Sequence, residues 1–296
     1  MKRLFTGIIV AASLLFAQSC TSNIKSAEKQ VSQDDMHQGN HQQNARSEHQ
    51  GHSMAEMNQG EKSQVTTQAK LTAAKNLSPN QPIPLVIDIQ DSAGKSVTKF
   101  DTFQEKLMHL IVVRDDLISF EHIHPEYKGN GRFEVNSSFP TAGNYTLISD
   151  YKPAGNKESV SLMKLIIPGS TPLPKDLAKF EKTKTLSSTK VNFTSSEKTI
   201  KAGKQVTLQF DLKEASNNQP IKDLQPYLGE KGHLVIIKSS SPLTESDYIH
   251  AHALKNTPEG QVKFMTSFPQ AGTYKVWMQF NRDSKINTAD FWINVS

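Results

Sequence analysis

All ten histidines of this chain fall into three small groups. His109 opens an apolar run and is followed by His122-Ile123-His124; His233 opens a second apolar run and is followed by His250-Ala251-His252. The remaining four, His37, His41, His49 and His52, lie in a polar N-terminal stretch. Imidazole is the commonest protein metal ligand and the one side chain whose ordinary pKa lies near neutrality. In a strand, the two histidines of His-x-His point to one face, so both can reach a single ion. A third imidazole from a neighbouring strand, His109 or His233, would complete a three-nitrogen set in each copy. Two bland alternatives stay open. A histidine beginning a core strand can simply hydrogen-bond a carbonyl, and His109 and His233 on the opposite sheet face would leave only two-histidine sites. Repetition of the triplet, with no histidine elsewhere in either half, favours metal. No acidic residue or cysteine recurs beside it: Glu121 is replaced by Ile249, and Pro125 by Ala253. Phe120 and Tyr248 share the predicted face of the pair and are expected to pack in the core beneath it.

The polar stretch adds a second kind of donor. Met36-His37 and His41 are followed by His49, His52, Met54 and Met57, so three of the eight methionines stand among these histidines. Mixed thioether and imidazole donors suit copper, Met favouring the cuprous ion and His the cupric one, whereas zinc and nickel do not ordinarily recruit Met. Copper, as Cu(I) or Cu(II), is therefore the expected metal, with zinc as the alternative at the all-histidine sets. Met108, Met163, Met265 and Met278 are not paired between the copies and read as core filler.

The elements that must carry these residues begin after an export signal. Lys2-Arg3, an apolar run from Leu4 to Phe16 and Ala17-Gln18-Ser19 have the order of a secretory signal peptide, assigned to residues 1–19. Cys20, the single cysteine, stands where a bacterial lipoprotein carries its acyl chains, so a membrane anchor is expected; ordinary secretion is the competing reading. Either way the mature chain is exported, as a periplasmic or cell-surface protein. Removing the signal leaves 32 basic against 29 acidic residues. That weak, scattered excess contains no basic stripe interleaved with aromatics, so no nucleic-acid partner is expected. With one cysteine there is no internal disulfide, and stability must come from packed cores.

Residues 20–67 are poor in aliphatics and rich in Gln, Asn, Ser, His, Glu and Lys, and read as a disordered tether. Beyond them β-type runs dominate, punctuated by Gly, Pro, Asn and Asp, with no sustained helical period. The pattern then repeats. Ser138-Phe139-Pro140-Thr141-Ala142-Gly143-Asn144-Tyr145 is matched by Ser267-Phe268-Pro269-Gln270-Ala271-Gly272-Thr273-Tyr274, and His109-Leu110-Ile111-Val112-Val113 by His233-Leu234-Val235-Ile236-Ile237. A period this long means duplicated domains, not a solenoid. About seven short strands per copy predict an all-β protein of two tandem immunoglobulin-like or cupredoxin-like β-sandwiches, over 68–168 and 186–296, joined by a linker at 169–185. The Phe-Pro-x-Ala-Gly-x-Tyr block reads as structural: a turn, a packed Phe, and a Tyr entering the next strand as a core or corner residue.

Pro226-Tyr227-Leu228-Gly229, Gly232-His233-Leu234-Val235-Ile236 and Tyr248-Ile249-His250-Ala251-His252 resemble a family of exported bacterial proteins with YtkA-like or cupredoxin-like β-sandwich domains. The first copy is similar through His109 to Val113 and His122-Ile123-His124-Pro125, but without a Pro-Tyr-Leu-Gly ahead of it. Such proteins often accompany copper and heavy-metal efflux systems. The resemblance implies extracytoplasmic copper sequestration, delivery or resistance, with efflux components as partners and no catalysis. A non-catalytic module that docks on a membrane efflux or assembly partner, its histidines structural, is the competing expectation. Copper–zinc superoxide dismutases also place His-x-His on a β-sandwich, but this chain lacks that family's disulfide and offers no clear bridging histidine or zinc-site aspartate. No nucleophile–base pair or phosphate-binding loop suggests any other enzyme.

Overall fold

The computed structural model describes residues 66–171 and 179–296, which lie within one compact unit spanning Glu61–Ser296. The signal peptide, Cys20 and the seven tail donors Met36, His37, His41, His49, His52, Met54 and Met57 lie outside the described residues.

The first sandwich comprises β1 (Thr67–Ala73), β2 (Pro82–Asp91), β3 (Met108–Arg114), β4 (Phe120–Ile123), β5 (Glu126–Gly129), β6 (Arg132–Ser138), β7 (Gly143–Tyr151) and β8 (Ser159–Ile167). The second comprises β9 (Thr183–Leu186), β10 (Thr189–Ser195), β11 (Gln205–Glu214), β12 (His233–Lys238), β13 (Tyr248–His252), β14 (Gln261–Ser267), β15 (Gly272–Arg282) and β16 (Lys285–Val295). Strand β9 begins at Thr183, so the second sandwich starts inside the stretch expected to be linker. Alternation of aliphatic and polar residues along β2 and β11 buries one face of each, the signature of a strand with one face on a core.

Each copy is two antiparallel sheets. In the first the orders are β1-β2-β6-β5 and β4-β3-β7-β8. This is the immunoglobulin-like arrangement of a four-stranded sheet opposite a three-stranded one, with β4 added at the edge of the second sheet. In the second copy the orders are β14-β11-β10-β9 and β13-β12-β15-β16. There the counterpart of β5 shrinks to a single bridge between Ala253 and Phe264, while β9 lengthens the opposite edge. The repeated tyrosine is a tyrosine corner in both copies. Tyr145 donates to the Thr141 carbonyl at 2.9 Å, and Tyr274 to the Gln270 carbonyl at 2.7 Å. Tyr145→Phe and Tyr274→Phe should each lower stability by about 1 kcal/mol in urea unfolding, the worth of one such bond, without changing metal affinity.

The apolar runs of β3 and β12 are continuous rather than alternating because both faces of each strand are buried. Met108, Leu110 and Val112 enter the first sandwich core, and Leu234 and Ile236 the second. The other face of each strand enters a third cluster, in which Ile111, Val113 and Ile148 meet Val235, Ile237, Tyr248, Trp277 and Trp292. The β4-β3-β7-β8 sheet thus packs against the β13-β12-β15-β16 sheet. Phe120 and Tyr248 belong to this seam and not to the sandwich cores. Positions 120, 122 and 124 share one face by strand period, and that face looks across at the other sandwich. Phe120 stacks on Trp277 with ring centroids 4.6 Å apart at 14°.

Candidate metal centre at the seam

Register fixes where the histidines point. In the first copy His122 lies opposite Ile111, and in the second His250 lies opposite Val235 and His252 opposite His233. Ile111 and Val235 face the seam, so His109 and His233, two residues before them, face it too. The triplets therefore do not form one site in each sandwich. They meet. Among the described residues, the group of three whose ligand atoms all lie within 4.8 Å of one another is His109, His122 and His233, two from one sandwich and one from the other. His250 adjoins this trio, its Nε2 2.6 Å from Nε2 of His233. His124 flanks it on the first sandwich, with ring centroids 5.0 Å from His109 and 4.7 Å from His122. His252 flanks it on the second, 5.3 Å from His250.

The groups behind these rings decide which nitrogens are bare. His109 donates from Nε2 to the Phe103 carbonyl at 3.2 Å, His122 from Nδ1 to Gln279 Oε1 at 2.7 Å, and His250 from Nδ1 to Asp150 Oδ2 at 2.9 Å. Gln279 is held in that orientation by its own amide nitrogen, which donates to Thr288 Oγ1 at 3.3 Å. A neutral imidazole carries one proton. With that proton spent outward, His109 Nδ1 and His122 Nε2 present lone pairs inward. His109 Nδ1 and His122 Nε2 face each other at 3.0 Å. That spacing is close to the roughly 3.3 Å expected of two ligands on one ion at about 2.0 Å each.

Burial, reinforced by the neighbouring imidazoles, lowers His109 to about 4 and holds His122 and His233 well below the ordinary value; burial and the neighbouring His109 lower His124 to about 3. The rings are thus in their neutral, ligand form at pH 7. Four of the five buried side-chain atoms without a partner among the described residues also belong to this place: Gln104 Oε1, His124 Nε2, Asp150 Oδ1 and His233 Nδ1. Buried polar atoms are ordinarily satisfied, so their concentration here marks a site arranged around something other than hydrogen bonds within the chain.

Asp150 and Gln279 are the residues sequence reasoning missed. Asp150 lies opposite His109 in register, and Gln279 opposite His233. Each reaches across the seam to orient the other sandwich's His122 or His250, and Asp150 also accepts from the Tyr248 hydroxyl at 3.1 Å. A usable signal existed: each stands five residues after the repeated tyrosine, a polar residue at the same position of both copies.

Two further elements cap the cluster. The Tyr227–Glu230 turn, which carries Leu228 at φ 54° and Gly229 at φ 80°, has a counterpart in the first copy despite the missing Pro-Tyr-Leu-Gly. It is the Phe103–Lys106 turn, with Gln104 at φ 45° and Glu105 at φ 63°. Positive φ at both central residues is the primed hairpin geometry, costing about 1 kcal/mol for each non-glycine residue held there. The turns set Phe103 4.8 Å from His109 and Tyr227 6.2 Å from His233, measured between ring centroids. Burial pushes the Tyr227 phenol up to about 12, so it stays protonated. Gln104 bonds Nδ1 of His252 at 2.8 Å through its side-chain amide.

Fold and site together define a tandem immunoglobulin-like β-sandwich protein whose two copies bring six histidines together at their seam. The chain belongs to the family described as "Domain of unknown function (DUF8832)", whose model matches residues 63–164 and 184–296. No curated protein matches the sequence. Among solved structures, the chain is similar to the Escherichia coli adhesin FdeC, at 14% identity over 77% of this chain and 64% of that one, with a TM-score of 0.25. It is also similar to a segment of two fibronectin type III domains from chicken tenascin, at 10% identity over 77% of this chain and 99% of that one, with a TM-score of 0.24. InvD of Yersinia pseudotuberculosis is a third, at 12% identity over 77% and 57%, with a TM-score of 0.24. The chain spans 64% of the length of the FdeC chain it matches.

Proposed function

We propose that this is an exported, lipid-anchored copper-binding protein that carries the ion as cargo at the seam of its two sandwiches, for sequestration or delivery outside the cytoplasm. The observation that carries this reading is the convergence of His109 Nδ1 and His122 Nε2 at 3.0 Å, with His233 completing a trio within 4.8 Å. Neutral imidazoles suit zinc and copper alike; the methionines among the tail histidines tip the choice to copper. The likeness to exported metal-handling sandwich proteins agrees with it, and efflux components would then be the partners. The role is binding, not turnover.

Calorimetric titration of the mature chain, with and without residues 21–66, tests the proposal. Copper bound more tightly than about micromolar should survive removal of the tail and disappear when His109, His122 and His233 are replaced together. Absence of such binding, or a stoichiometry untouched by those replacements, would reject it. The second reading, an interaction module with structural histidines, draws on the apolar seam, where buried side chains of the two sandwiches pack together. It predicts identical folding and partner binding in metal-free buffer and no copper affinity.

A further inference from the structure

A trio site uses three imidazoles, yet six are gathered here, and the surplus is ordered. From one side of the seam to the other, ring centroids step 4.7 Å from His124 to His122, 4.5 Å to His233, 4.5 Å to His250 and 5.3 Å to His252. His109 sits alongside the middle of this row, 5.8 Å from His233 and stacked on it. The row has an end on each sandwich. His252 is exposed. His124 is half-buried and lines a surface groove with Glu126, Lys128 and Glu134, while its Nε2 is buried without a partner. The centre is largely enclosed: His109 is 0% and His233 2% exposed, and His122 is half-buried.

An ion leaving an enclosed set of neutral donors must either shed several ligands at once or exchange them one at a time. The second route needs a new donor within reach before the old one is released. Metal–nitrogen bonds of about 2 Å on each side let one ion span two nitrogens some 4 Å apart. His233 and His250 meet that condition, with Nε2 atoms 2.6 Å apart, and the outer rings each lie one further step away, at 4.7 Å from His122 to His124 and 5.3 Å from His250 to His252 between ring centroids. His250 is backed by the carboxylate of Asp150, which fixes its ring orientation as a carboxylate does behind a metal-bound imidazole, whereas His122 is backed by the neutral amide of Gln279.

We infer that the six histidines form a transfer path across the seam, in which His109, His122 and His233 hold the ion at rest while His252 and His124 are ports through which it is exchanged with ligands outside. This rests on the reading of the seam as a copper site. It assigns to His124 and His252 a kinetic role that the resting site does not require.

The test compares the full mature chain with His124→Ala, His252→Ala and the double variant by stopped-flow. Uptake is followed from a weak coloured copper chelate, and release to an excess of a strong one. Each single variant closes one port, leaving the other in use. The double variant should slow uptake and release together by about tenfold or more, on the scale of the losses seen when the partners of metal ligands are removed. Its equilibrium affinity should stay within about threefold of the parent, a shift under 1 kcal/mol. His124→Met/His252→Met, which keeps a donor at both ports, should restore fast exchange of cuprous ion. Exchange at the parental rate in the double Ala variant overturns the path. So does an affinity loss beyond about tenfold, which would make the two residues ligands of the resting site. A parent chain that binds no copper removes the seam reading itself, and is seen in the titration before any rate is measured.

Discussion

His233→Ala should abolish tight copper binding at the seam of the whole chain, although it leaves His109, His122 and His124 of the first copy untouched. The trio draws two nitrogens from the first sandwich and one from the second, within 4.8 Å of one another. Deleting the single contribution from the second leaves a two-nitrogen remnant. Removing a group that merely supports a ligand costs 10- to 100-fold in affinity, so loss of a ligand should cost at least about 100-fold. Two independent sites would behave differently: His233→Ala would then halve the stoichiometry and leave the remaining affinity as it was. Titration with a competing chelator separates these results. Retention of one full-strength equivalent would refute the shared centre. His109→Ala should act the same way from the other side, while Trp277→Phe, which alters the seam but no ligand, should leave affinity within a few fold.

The duplicated sandwich is legible in the sequence because its determinants are local. Tyr145 and Tyr274 hydrogen-bond only four residues back, and the Pro-x-Ala-Gly turn ahead of each is written in contiguous residues. Shared faces of His122 with His124 and of His250 with His252 follow from strand period alone. Their meeting is not local. It depends on which face of β3 and β12 turns outward, and apolar runs without alternation, such as Leu110 to Val113 and Leu234 to Ile237, carry no sign of that. Continuity of those runs did hold a clue: a strand buried on both faces needs a second layer, and here the second layer is the other copy. Asp150 and Gln279 were hidden for the same reason, since each serves a histidine about 100 or more residues away across the seam. Asp150 sits in a strand as a lone buried carboxylate, 1% exposed, with no role inside its own sandwich that the sequence could suggest.

Acid should loosen the metal-free protein well above the pH at which carboxylates titrate, and copper should hold it together. His109 falls from its ordinary 6.5 to about 4 on folding, and His122 and His233 fall well below theirs, in each case mainly because burial disfavours the charged ring. The unfolded chain therefore takes up protons below about pH 6.5 that the folded chain refuses, so stability is fully present above that pH and declines as pH falls. For His109 the decline runs from about 6.5 down to about 4, at about 1.4 kcal/mol per pH unit once below the unfolded pKa. His122 and His233 add to the slope across the same window. Chemical unfolding at pH 7.5, 6.0 and 5.0 reads this directly. Comparison with His109→Gln/His122→Gln/His233→Gln removes the acid sensitivity of carboxylates elsewhere, and the difference between the two chains should grow steeply below pH 6.5. Neutral imidazole is also the form that binds metal, so bound copper must be displaced before the rings can protonate. Loading should accordingly move the acid midpoint of the parent chain downward and leave that of the triple variant in place. A parent chain whose stability is flat from pH 7.5 to 5.0 would mean the rings are not held neutral, in the form that binds metal, at the seam.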